Sequence, residues 1–470
     1  MIPYQNVTPG VVARLCQIVG ERNLIFGDKD LLEMYSHDEV PDPRLARMPE
    51  VVVKPGSAEE ISSILKLANQ EMIPVTPRGG GSGESCGAVP IYGGIVLSLE
   101  RMNRILEIDL ENLAVVVEPG VITDHINEAL KTSGLFFAGY SADNCFIGGN
   151  IAENAGGTKA VKYGVTDRYV LGLETVLPNG EIVQIGSKCV KDVAGYNLVH
   201  MMVGSEGTLG IFTKIILRLL PLPTEKMDLL ILFKDVPSAI QVVPKIMANC
   251  HIIPAAIEFI DYLSLKMACD FLKDDLPYQQ AGAALLIELD GTNAGQIERE
   301  AEQISMLCLE EDAIEVYAGT DRVTQDRMWM IRHNIAEALR GFSLVQCVED
   351  IVVPIARIPE MVSKIEKLAE KYHLMIPCYG HAGDGNLHAT LIKYPEMPLE
   401  EWYRLEDESL RELYQLVKAM GGTISGEHGI GSKRREYLGM VMDPRLVALQ
   451  KQIKSAFDPN QILNPGKIFP

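Results

Sequence analysis

Leu229-Leu-Ile-Leu-Phe233 opens the stretch whose reading decides the fold. Five consecutive apolar residues suit a buried strand. A helical pattern follows over Pro237–Ala248, then a strand over Ala255–Ile260 and a short helix. Strand Ala283–Leu289, helix Ala294–Cys308 and strand Ala313–Tyr317 complete a ferredoxin-like β-α-β-β-α-β order. A long helix over Asp321–Leu339 leads into a second half built on the same theme. There a strand over Val345–Val353 and a helix over Ile358–Lys371 precede a hairpin and a helix over Glu400–Met420. Two ferredoxin-like halves, fused side by side into one antiparallel sheet covered by helices, are the expectation.

The hairpin carries chemistry. In His381-Ala-Gly-Asp-Gly-Asn-Leu-His388, the Gly383-Asp-Gly-Asn386 core is strong turn chemistry, and both flanks read as strands. Folding about that turn places His381 and His388 opposite each other on one face, about 5 Å apart at Cβ. Two imidazoles that close are poor neighbours when charged and good ligands when neutral. Further on, Ser425-Gly-Glu-His-Gly-Ile-Gly431 supplies Glu427 and His428 between glycines. His381, His388 and Glu427 form a credible metal triad with an open position, leaving His428 as a base. A purely structural histidine pair beside an ordinary turn is the competing reading.

The N-terminal half reads differently. Residues 1–47 look like a helical lead-in, and Pro221-Leu-Pro223 marks a boundary. Between them, strand Val51–Val53, helix Ala58–Gln70 and further short strands indicate an α+β domain. Gly79-Gly-Gly-Ser-Gly83 can converge its amides into an anion nest, or be a plain flexible loop. It lacks the Gly-Lys-Ser/Thr ending of a nucleoside-triphosphate loop and opens no Rossmann-type helix. Two more glycine-rich segments follow, Ser141 to Gly157 (with Lys162-Tyr-Gly164 just beyond) and Gly204 to Ile211. Repeated close approach of backbone to one long dinucleotide accounts for all three more economically than three unrelated turns.

Composition narrows the function. A chain of 470 residues needs two or three cores. Its net charge of −20 argues against nucleic acid and anionic membranes as partners. No apolar run has the length that spans a bilayer, and no signal peptide is visible, so a cytoplasmic location is expected. Nine cysteines fall singly, with no Cys-x-x-Cys, which fits reduced thiols and disfavours an iron–sulfur cluster held by this chain alone.

Six motifs in order give the chain a family resemblance. They are Pro77-Arg-Gly-Gly-Gly-Ser-Gly83, Ile147-Gly-Gly-Asn150, Gly204-Ser-Glu-Gly-Thr-Leu-Gly210, Gly380 to His388, Gly426-Glu-His-Gly429 and Leu463-Asn-Pro-Gly466. Together they resemble the FAD-linked 2-hydroxyacid dehydrogenases of the vanillyl-alcohol-oxidase/PCMH superfamily, of the D-lactate dehydrogenase and glycolate oxidase flavoprotein type. The resemblance implies an α+β architecture with a helical lead-in at 1–47 and a PCMH-type FAD-binding domain at 48–222. A substrate or cap domain at 223–423 and a C-terminal segment at 424–470, returning to the FAD domain to complete the site, would follow.

It also implies residue roles. Arg78, Gly79, Gly80, Gly81, Ser82 and Gly83 would wrap the FAD pyrophosphate through backbone amides, with Pro77 beside them in the cofactor site. Ser141, Gly148, Gly149 and Asn154 would flank the flavin. Gly157, Gly164 and Glu206 would meet the nucleotide, with Gly207, Ile211 and Asn464 completing the cofactor site. His381, His388 and Glu427 would hold Zn, Fe or Mn over the flavin, and Arg332 in Trp329-Met-Ile-Arg332 would clamp the substrate carboxylate. No histidine lies near the glycine loop, so the FAD is expected to be non-covalent.

Two departures bear on substrate. Relatives that oxidise 2-hydroxyglutarate carry Lys-Tyr-Asp where this chain has Val348-Glu-Asp350, and an Asn where Thr390 stands. The expectation is therefore oxidation of a small D-2-hydroxyacid, D-lactate before glycolate, with His428 as base. Electrons would pass to an outside acceptor: an electron-transfer flavoprotein, an iron–sulfur subunit or a quinone. A second copy of the chain, as a homodimer, is a further expected partner. A non-catalytic FAD-binding subunit and a flavin-free metallohydrolase are the rival readings.

Overall fold

The computed structural model describes residues 4–139 and 144–470 and divides into two compact units. The first comprises Met1–Gly156, Val165–Leu222 and Glu427–Pro470; the second comprises Gly157–Gly164 and Pro223–Gly426. The observed boundaries differ from the expected ones at two places. Gly157–Gly164 belongs with the second unit, and the C-terminal return begins at Glu427.

The first unit contains two principal sheets. Strands Val51–Val53, Ile95–Ser98 and Val75–Arg78 pair in parallel, and Leu24–Ile25 adds an antiparallel edge. The lead-in is thus not wholly helical: it contributes helix Pro9–Val19, helix Lys29–Glu33 and that edge strand. Helix Ala58–Glu71 forms because Ser57 caps its first turn and Ile61, Ile64, Leu65 and Ala68 share a buried face. A five-stranded antiparallel sheet holds Ile105–Asp109, Ala114–Val117, Ile211–Arg218, Val170–Val176 and Ile182–Gly186. The chain's end joins the first sheet: Val75 N–H donates to Ile462 at 2.8 Å and Asn464 N–H to Val75 at 2.7 Å.

The second unit is a seven-stranded antiparallel sheet. Its order is Ala313–Gly319, Glu225–Phe233, Ala283–Gly291, Ala256–Asp261, Cys378–His381, Asn386–Ile392, Gln346–Val352. The first four are the 4-1-3-2 order of a ferredoxin-like half. Cys378–His381, Asn386–Ile392 and Gln346–Val352 repeat it as 2-3-1, and the halves join strand two to strand two. One face carries the apolar cluster of Leu230, Leu232, Ile260, Leu286, Trp329, Ile335 and Ile392. The long helix expected over Asp321–Leu339 is two helices, Arg322–His333 and Ile335–Phe342. Asn334 separates them, its side-chain amide donating back to the Met330 carbonyl at 2.8 Å.

Candidate active site

Register decides which side chains in the second unit share a face. Glu258 lies across from His381, Tyr379 from His388, and Asp350 from His388. Directly opposed residues in an antiparallel sheet point the same way, so these side chains gather on one surface. His381 and His388 are diagonal neighbours rather than opposed ones, because His381 pairs with Asn386. Their rings nonetheless approach to 5.3 Å between centroids at 90°. Both are buried. Nδ1 of His381 lies 2.6 Å from Glu258 Oε1, a residue the sequence reading overlooked. Glu258 Oε2 accepts from Arg332 Nε at 2.7 Å, and the Arg332 guanidinium sits 4.8 Å from the Tyr379 ring centre. Burial alone would raise the Glu258 carboxyl, but electrostatic attraction to the adjoining His381 and Arg332 side chains holds it below its usual range.

Asp350 organises the rest of this surface. Oδ1 accepts from the Asn386 amide at 2.7 Å, while Oδ2 accepts from Ser425 Oγ at 2.8 Å and Gly426 N–H at 2.9 Å. The turn expected at Gly383–Asn386 is present, and Gly385 adopts φ +89° with no room for a Cβ against the Val353 carbonyl.

In the first unit the glycine segments converge. A Cβ on Gly79 would sit 3.7 Å from Gly149 N, and one on Gly207 would meet Pro77 at 2.7 Å. Glu206 N–H donates to the Ala152 carbonyl, and the Asn464 amide donates to the Glu206 carbonyl, each at 2.7 Å. Pro77–Gly83, Ile147–Asn154, Gly204–Gly207 and Asn464 are thereby brought together. Asn154 ends helix Ile147–Glu153 at φ +55° and accepts from Asp167 N–H at 3.0 Å. The amides of Gly79, Gly80, Gly81, Ser82 and Gly83 donate to no backbone acceptor among the described residues. A Cβ on Gly149 would meet nothing within 4 Å.

Several of these residues have side-chain partners within the protein. The Arg78 guanidinium donates to the His37 carbonyl at 2.7 Å, tying down the lead-in. The Glu206 carboxylate accepts Ile430 N–H at 2.8 Å and Gly431 N–H at 2.6 Å, so it holds the Glu427–Gly431 loop. Ile211 is part of the hydrophobic core. Gly157 and Gly164 belong to the second unit, and Ser141 lies outside the described residues. Glu427 packs against Gly156, where a Cβ would approach its Oε2 to 2.9 Å. His428 Nδ1 lies 3.3 Å from Glu84 Oε2 and Nε2 3.9 Å from Glu427 Oε1.

Comparison with known proteins agrees with this architecture. Residues 222–468 match the family described as FAD linked oxidases, C-terminal domain, and residues 49–186 match the FAD binding domain. The chain belongs to the FAD-linked oxidase family. It is an FAD-linked oxidoreductase with the mixed α and β architecture of the vanillyl-alcohol-oxidase/PCMH proteins. The glycolate oxidase subunit GlcD of Bacillus subtilis is 41% identical over 466 residues, covering 98% of this chain and 97% of that protein. A D-lactate dehydrogenase of Anaerostipes hadrus is 36% identical, covering 99% and 98%. One of Archaeoglobus fulgidus is 39% identical, covering 93% and 95%. Among solved structures, p-cresol methylhydroxylase with substrate bound shares the fold at TM-score 0.81 and 20% identity, covering 100% of this chain and 98% of that one. No helix among the described residues is long and apolar enough to cross a membrane.

Proposed function

We propose that this chain oxidises a small D-2-hydroxyacid, D-lactate before glycolate, to the 2-oxoacid, using non-covalent FAD and one divalent metal. The observation that carries the reading is the buried, perpendicular His381–His388 pair on the sheet face over which helix Arg322–His333 lays Arg332. Two imidazoles plus a carboxylate suit Zn, Fe or Mn. Glu427 is the carboxylate proposed to join them; it directly follows Gly426, whose N–H is bound to Asp350, the cross-strand partner of His388. The amides of Gly79–Gly83 and the open face at Gly149 fit the FAD pyrophosphate and its surroundings, with Pro77, Gly148, Asn154, Gly207 and Asn464 shaping that seat.

The chemistry supplied when both groups are bound is hydride acceptance by the flavin and polarisation of the substrate hydroxyl by the metal. The chain's own residues do the rest. Arg332 offers its terminal amino groups to the substrate carboxylate, a planar fork suited to two oxygens. His428 takes the hydroxyl proton, with the Glu84 carboxylate 3.3 Å from its Nδ1.

Substrate size follows from a cross-strand pair. Val348 and Thr390 are register partners on the face that bears His388 and Asp350. The lysine and asparagine of the 2-hydroxyglutarate enzymes would stand side by side there. Val348 offers no charge, and the buried Thr390 hydroxyl has no hydrogen-bond partner among the described residues. A second substrate carboxylate would find no cation at this position, which favours a monocarboxylate. The relatives named as a glycolate oxidase subunit and as D-lactate dehydrogenases support the same class. Electrons leave to an external acceptor, an electron-transfer flavoprotein or an iron–sulfur subunit. Turnover of D-lactate, L-lactate, glycolate and D-2-hydroxyglutarate with an artificial dye acceptor tests the assignment. D-Lactate should lead; preference for the dicarboxylate would overturn the size argument.

A further inference from the structure

We propose that Glu258 is the positioning residue of this site, one carboxylate that sets both a metal ligand and the substrate clamp. The inference rests on the metal-dependent reading above. Glu258 is fully buried in the middle of the sheet, at a place where a well-packed apolar side chain would be less costly than a charge. Its two oxygens divide between two different tasks. Oε1 is 2.6 Å from His381 Nδ1 and Oε2 is 2.7 Å from Arg332 Nε.

Each contact has a directional consequence. An ionised carboxylate only accepts, so the imidazole proton is placed on Nδ1 and the Nε2 lone pair is the one offered to a metal. Binding Arg332 through Nε leaves Nη1 and Nη2 as the pair that meets an incoming carboxylate. The ring is closed on its other side by aromatic contacts. The Arg332 guanidinium lies over Tyr379, and Tyr379 lies 5.5 Å from the His388 ring, which is 5.3 Å from His381. Five side chains of one unit therefore fix the distance between the two imidazoles and the arginine, and Glu258 touches both sides by hydrogen bonds. The register explains why: Glu258 is directly across from His381, and helix Arg322–His333 delivers Arg332 over the same strand.

The test compares the full-length flavoprotein with its Glu258→Gln variant. Metal-stripped protein is titrated with Co²⁺ and Zn²⁺ against a chelator, following the visible Co²⁺ bands, while flavin content and melting temperature are read separately. Glu258→Gln is expected to weaken metal binding by about 10- to 100-fold and to raise KM for D-lactate, with full flavin content. Metal affinity within threefold of wild type, with only a lowered melting temperature, would show a merely structural pair and overturn the proposal. Wild-type protein that binds neither metal would overturn it together with the metal-dependent reading, which distinguishes the two failures. Should the glutamine variant not fold, Glu258→Asp keeps the charge but cannot span both donors, and the same loss of metal affinity is expected. Arg332→Met should raise KM while keeping metal affinity within threefold; a loss equal to that of Glu258→Gln would refute the division of labour.

Discussion

Replacing Asp350 by asparagine is the sharpest perturbation of the second unit. Asp350 is wholly buried and accepts from the Asn386 amide, the Ser425 hydroxyl and the Gly426 N–H. Asparagine keeps one acceptor oxygen and turns the other into a donor. If that oxygen faces Ser425 and Gly426, the new amide points its N–H groups at the Asn386 amide. Asn386 cannot turn over without cost, because the same nitrogen also donates to the Ile351 carbonyl at 3.1 Å. The opposite orientation sets an N–H against the Gly426 N–H, which is fixed by the backbone. Each hydrogen bond to a charged group contributes roughly 1.5–3 kcal/mol. Losing one and leaving a buried donor unmatched therefore costs about 2–4 kcal/mol. In a unit of this size each kcal/mol lowers the melting temperature by roughly 2–4 °C. Calorimetry should show the second unit's transition falling by about 4–16 °C, and metal content should fall with it because Glu427 follows Gly426. An unchanged transition with full metal content would refute the view that Asp350 ties the hairpin to the segment before Glu427.

Three further outcomes are expected. Gly431→Ala should destabilise the first unit by at least about 2 kcal/mol, since Gly431 sits at φ +55° with the Ser85 carbonyl 1.8 Å from any Cβ; a denaturation midpoint equal to wild type would contradict this. Burial pushes the Asp228 carboxyl from 3.8 up to about 6, Glu288 adding to the rise against an opposing Lys226. The folded protein then holds a proton the unfolded chain has lost, so stability falls between pH 4 and 6, by about 3 kcal/mol, and is level above. Asp228→Asn should flatten that slope, and parallel pH–stability curves for the two proteins would count against it. His428→Asn should lower kcat for D-lactate by about 10²–10⁴ with the flavin spectrum intact, and full turnover would remove His428 as the base.

What the sequence could disclose follows from what each signal depends on. The β-α-β-β-α-β order was legible because strand and helix periodicities are local, and Leu229–Phe233 and Ala294–Cys308 express them without interruption. The hairpin at Gly383–Asn386 was legible for the same reason. Its register was not: a diagonal His381–His388 pair and an opposed one differ by two residues of pairing, which no local preference distinguishes. The break at Asn334 was hidden because it arises from one side chain bonding its own helix. Glu258 lies 123 residues from His381 and carries no motif; an acidic residue in the middle of a largely apolar strand was the one available signal. Glu206 and Arg78 stand in recognisable motifs, yet their side chains bind backbone at Ile430–Gly431 and at His37. A motif conveys that a residue matters, and only the tertiary partner shows to what.

Anaerobic addition of D-lactate to the purified, metal-loaded flavoprotein is the most direct test of the central claim. Stoichiometric loss of the flavin band at about 450 nm, with one pyruvate formed per flavin and no response to L-lactate, is the predicted result. A flavin that stays oxidised in the presence of D-lactate and glycolate alike, or a protein that carries no flavin at all, would contradict the account.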